Sequence, residues 1–139
     1  MAQKKDGGNI SIALEYDQYD FDESFVTSGS YVVALKIDAM KIRESTIQFI
    51  NKGAATEDVT YKIFGSAKKA IKIDSAAPET EDEWINLLST GAYNHATEVT
   101  IPDGDRAFET FSNPWRWVIV MIKATVGTPT VKIWHRGEN

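Results

Sequence analysis

The sequence predicts an all-β protein: a single β-sandwich or jelly-roll domain of about eight or nine strands, with one short helix near residues 80–90. Three observations predict it. Apolar and polar residues alternate with period two in short runs, and turn residues separate those runs at spacings of about 10 to 15 residues. The segment from Trp115 to Arg136 is the longest and most apolar of them and is rich in β-branched residues. Only one stretch, Pro78 to Gly91, carries apolar residues at helical spacing.

Composition bounds the rest. A chain of 139 residues with 42% hydrophobic and 25% charged side chains is long enough to bury a core as one domain. A net charge of −5 disfavours a surface for nucleic acid, which needs clustered Lys and Arg to neutralise phosphates. With no cysteine there is no disulfide framework, thiolate metal site or cysteine nucleophile. The first nine residues, MAQKKDGGN, lack an apolar segment behind their lysines, so neither a secretory signal nor a membrane anchor is expected. Residues 1–9 read as an arm that either frays or orders on a neighbouring subunit, and residues 10–139 as the sandwich domain.

Taken in order, Ile10, Ile12, Leu14 and Tyr16 alternate with smaller or polar residues as a first strand. Asp17, Asp20, Asp22 and Glu23 follow in DQYDFDE, an acidic loop that is solvated or, alternatively, holds a structural Ca²⁺; no other cofactor is expected. After a Ser28-Gly29-Ser30 turn, Tyr31–Ile37 reads as a further strand, and Thr46–Asn51 and Val59–Ile63 follow as two more, ended by Asn51-Lys52-Gly53 and Gly65-Ser66. Lys68–Ile73 reads as a short edge strand whose lysines discourage foreign pairing. Thr80 and Glu83 have capping-box spacing ahead of Trp84, Leu87 and Leu88, and Gly91 stands where a helix would stop; the alternative is an irregular loop that carries the same Trp84 anchor. Thr97–Ile101 and Arg106–Phe111 then flank a Pro-Asp-Gly-Asp turn.

The closing stretch predicts a β-hairpin. Arg116–Ala124 is apolar on both alternating faces, so it should be covered on both; Gly127-Thr128 supplies the turn, and Thr130–Arg136 returns. That register sets Met121 opposite Trp134 and Val120 opposite His135. One face then carries Val118, Val120, Ile122, Val131 and Ile133 as core. The other gathers Trp115, Trp117, Ile119, Met121 and Trp134 beside Lys132 and Arg136, a largely aromatic set that is either plain core or a surface suited to a subunit interface or to stacking on sugar rings.

Catalytic chemistry is not indicated. His95 and His135 form no cluster, and there is no nucleophile elbow, phosphate-binding glycine loop or zinc-protease motif. The expectation is therefore a protein that is not an enzyme. The stretch Ala96–Gly137 resembles the ends of small phage and prophage structural proteins, which finish with a W-x-x-V-x-V-x-A-x-x-G-x-x-x-V hairpin. The matching positions are Trp117, Val120, Ile122, Ala124, Gly127 and Val131. The resemblance implies a virion component assembled in the host cytoplasm, either a capsid decoration protein or a tail-associated subunit. It also implies a homo-oligomer, most often a trimer, that binds the major capsid or tail protein. No nucleic acid or membrane partner is expected, and the alternative is a carbohydrate-binding module that uses its surface tryptophans.

Overall fold

A computed structural model describes residues 17–40, 42–69, 71, 78–88, 97–112 and 114–138; for residues 17–26 and 138 it describes the backbone. The expected arm over 1–9, the expected strand over Ile10–Tyr16 and His95 lie outside the described residues. Among the described residues there are nine strands: β1 (Asp17–Val26), β2 (Val32–Asp38), β3 (Glu44–Asn51), β4 (Val59–Ser66), β5 (Ile85–Asn86), β6 (Val99–Ile101), β7 (Arg106–Ser112), β8 (Trp117–Ala124) and β9 (Thr130–Glu138). They make two antiparallel sheets, one of four strands in the order β1-β9-β3-β7. The other has five, in the order β2-β8-β4-β5, with β6 also on β4.

The pairing is nested. The first strand pairs with the last, β2 with β8, β3 with β7, and β4 with β5 and β6. This is the arrangement of a jelly roll, in which a long folded ribbon wraps into two facing sheets. The all-β sandwich expected from the alternation is thus formed.

Inward residues follow the period of two. Leu35, Ile37, Val59, Tyr61, Ile63, Val118, Val120 and Ile122 face inward from one sheet, and Ile47, Phe49, Phe111, Val131 and Ile133 from the other. Each such burial contributes roughly 1.5–3 kcal/mol. Tyr61 stacks on Phe49 between the sheets, with centroids 4.2 Å apart.

Four expectations are corrected. β8 and β9 do not form a hairpin: β8 pairs with β2 and β4, and β9 with β1 and β3. Gly127 has the positive φ of 70° that the turn chemistry anticipated, but the turn carries the chain from one sheet to the other. Met121 therefore lies opposite Val33 and Lys62, and Trp134 opposite Gln48 and Asp20.

No helix forms over the described part of Pro78–Gly91, which instead makes turns and β5. Asn86 diverts the chain there, its Oδ1 accepting from the Leu88 backbone N–H at 2.9 Å and its Nδ2 donating to the Thr97 carbonyl at 2.8 Å. Trp84 then packs on the outside of the five-stranded sheet while Leu87 and Leu88 reach the inner core.

The remaining two corrections are local. Asp17–Glu23 is part of strand β1 and not a loop. Of the edge strand expected over Lys68–Ile73, the described residues Lys68, Lys69 and Ile71 lie in no strand.

β8 is covered on both faces, as its composition requires. Outside, Ile119 and Met121 join Phe64 and Trp84 in a second apolar cluster that the segment over 78–84 helps to close. All eight residues of β4 are buried for the same reason.

Candidate functional site

The four aromatic and sulfur residues expected to share one surface are dispersed. Trp115 is half-buried against the inner core, its ring seated over Gly65; a Cβ there would come within 2.9 Å of the indole. Trp117 lies on the outer face of the five-stranded sheet, donating from Nε1 to the Lys69 carbonyl at 3.1 Å. The Arg116 guanidinium covers its ring at 4.4 Å and is paired with Asp38. Met121 is buried on that face. Trp134 alone lies on the outer face of the four-stranded sheet, half-buried, with the Lys132 ammonium 5.8 Å from its ring.

β1 extends the backbone that carries Asp17, Asp20, Asp22 and Glu23. Six strand steps spread their Cα atoms over roughly 20 Å. The four carboxylates therefore stand along an extended strand and not in a loop.

The outer face of the four-stranded sheet is built from three cross-strand rows. Phe108, Gln48 and Trp134 form the middle row, one residue each from β7, β3 and β9. Arg106, Ile50 and Lys132 lie on one side, and Thr110, Thr46 and Arg136 on the other. Thr46 and Thr110 are joined through their hydroxyls at 3.2 Å.

Phe108 is 69% exposed, the highest value of any large hydrophobic side chain among the described residues. Strand spacing places it roughly 10 Å from Trp134, with the exposed Gln48 amide between. Sequence reasoning did not single out Phe108. The signal was present: Phe108 and Phe111 are three residues apart on one strand, so they point to opposite faces, and only one of them can enter the core.

The other outer face is closed by the chain itself. A cleft of about 270 Å³ remains there, lined by Tyr31, Phe64, Pro78, Thr80 and Met121, with the Lys62–Glu79 ion pair at its wall. The Lys62 and Lys123 ammonium groups stand 4.5 and 4.9 Å from the Tyr31 ring centre, and the Tyr31 hydroxyl donates to Glu98 at 2.7 Å. Burial first, and then the Glu98 carboxylate, raises the Tyr31 pKa, so its hydroxyl stays protonated.

Between the sheets the polar groups are paired. Tyr61, raised in pKa chiefly by burial, donates to Glu109 at 2.6 Å and ties β4 to β7. His135 shares a 2.9 Å hydrogen bond with Ser45. Asn51 Nδ2 donates to the carbonyls of Glu57 and Ile101, while its Oδ1 accepts from the Gly53 N–H. These groups clamp loops and sheets together without converging on a shared open cavity. Comparison of the sequence with protein-family models and with curated proteins finds no match.

Proposed function

We propose that this chain is a non-enzymatic structural subunit of a phage-like virion, a capsid-decorating or tail-associated protein. It acts by joining copies of itself, with a trimer as the expected closed ring, and by docking on the viral shell. One observation carries the reading: the two outer faces are treated differently. The chain covers one with its own segment over 78–84, whereas the middle of the other bears Phe108 and Trp134 on a regular strand surface. Large aromatic groups on a flat sheet supply contact area at low entropic cost. The resemblance of Ala96–Gly137 to phage structural proteins supports the virion setting by its residue pattern alone, because β8 and β9 do not pair as a hairpin.

Light scattering at two concentrations tests the reading against the 15.5 kDa chain mass. A stable multiple is expected. Phe108→Ala and Trp134→Ala should each weaken assembly roughly tenfold or more, the cost of losing an anchor of 1.4 kcal/mol or above. A monomer at both concentrations would sink self-association.

A second reading has its own observation: Gln48 places an amide between two aromatic rings, as a shallow sugar platform would. A glycan array giving a signal that Trp134→Ala abolishes in a folded monomer would select the carbohydrate-binding function instead.

A further inference from the structure

The cleft on the outer face of the five-stranded sheet is lined wholly by described residues. At about 270 Å³ it stands at the small end of the range for ligand sites. Phe64, Met121 and Pro78 make it mainly apolar, with Thr80 also in the wall. One charge is set into that wall. Lys62 is 8% exposed and belongs to β4, which is buried along its whole length.

An ammonium group carries three N–H donors, and a charge taken out of water needs acceptors for them. Among the described residues the Lys62 ammonium has one oxygen partner, the Glu79 carboxylate. Its other neighbour is the Tyr31 ring at 4.5 Å, which offers a π face but no oxygen in that direction. A buried cation with unfilled donor capacity thus borders an apolar cleft.

The placement of the surrounding charges fixes the sign of the field there. The ammonium of Lys123, on a half-buried residue, stands 4.9 Å from the same ring and has no carboxylate partner among the described residues. The nearby acids are the outer groups. The Glu79 side chain is 56% exposed, and Glu98, which accepts from the Tyr31 hydroxyl, is exposed as well. Solvent screens those carboxylates more than it screens the buried ammonium, so the inner end of the cleft is positive.

We propose that this cleft binds a small aromatic carboxylate, with its ring among Phe64, Met121 and Pro78 and its carboxylate on the Lys62 ammonium. An aromatic ring suits Phe64 and the polarisable Met121 sulfur, and the carboxylate supplies the charge-assisted acceptors that Lys62 lacks. The site lies on the opposite outer face from Phe108 and Trp134, so it does not depend on self-association.

Ligand-observed NMR titration of the full-length protein with phenylacetate, and with its neutral counterpart phenylacetamide, tests the assignment. Phenylacetate is expected to bind with a Kd on the order of a millimolar. The amide should bind about tenfold more weakly, as the loss of a hydrogen bond to a charged group implies. Lys62→Met should weaken phenylacetate by about the same factor and leave the amide unchanged. Thr80→Trp, at an exposed position in the cleft wall, should abolish both. If Lys62→Met loses its native circular dichroism, the exposed Glu79→Gln reads the same contact from its other side: phenylacetate should then bind more tightly, because a competing carboxylate is gone.

Equal affinity for the acid and the amide would overturn the carboxylate assignment, as would a phenylacetate affinity that neither Lys62→Met nor Glu79→Gln changes. No binding of either probe, or binding that Thr80→Trp leaves intact, would overturn the site itself.

Discussion

His135 sits between the sheets at 4% exposure, beside Ser45. Burial lowers its pKa from 6.5 to about 4. The unfolded chain therefore binds a proton that the folded chain refuses. The stability linked to this residue is fully present above pH 6.5 and is lost as the pH falls towards 4. The shift corresponds to on the order of 3 kcal/mol. Urea unfolding of the wild type and of His135→Gln, measured at pH 7 and pH 4, should show the wild type losing more than the variant by about that amount. Equal losses would place the acid sensitivity elsewhere.

Among the elements, the segment over 78–88 contributes more than its two-residue strand suggests. It starts on the outside at Pro78 and Glu79, inserts Trp84 into the outer cluster, pairs with β4 at Gly65 and Phe64, and turns Leu87 and Leu88 inward. The Leu87 N–H donates to the Ile63 carbonyl at 2.8 Å and continues the ladder. Trp84→Ala should cost about 3–5 kcal/mol and expose the outer side of β8. Trp84→Phe should cost less, because the buried Nε1–H has no hydrogen-bond partner among the described residues and its removal relieves an unpaired donor. Urea midpoints of the two variants check the order, and an equal loss would mean that indole volume alone matters.

At the scale of the molecule, the nested pairing joins residues far apart in sequence, from Asp17 with Arg136 to Val59 with Ile101. Loop closure must precede almost every such contact. Refolding by stopped-flow tryptophan fluorescence should accordingly take milliseconds to seconds, the range of non-local β proteins. Microsecond refolding would mean that local structure nucleates the sandwich. The same wrapping separates the tryptophans: the step from β8 to β9 crosses the sandwich, so Trp117 and Trp134 end on opposite outer faces.

The sequence by itself determined the all-β class, the inward residues of most strands and the double coverage of β8, because the period-two pattern records burial one strand at a time. It also placed Trp134 outward on its own strand. Partners were not legible. Gly127-Thr128 suits a hairpin and a crossing turn equally, and the spacing of Trp84, Leu87 and Leu88 fits a helix face as well as a chain passing round a rim. DQYDFDE lacks a strand's clean alternation, and its strand state is set by pairing with β9 from the other end of the chain. The tertiary structure alone decided which strands meet, and hence that Phe108, Gln48 and Trp134 form one surface while Trp115, Trp117 and Met121 do not. The physical reason is that alternation is a local property, whereas sheet membership is fixed by hydrogen-bond ladders between segments that have no sequence relation to one another.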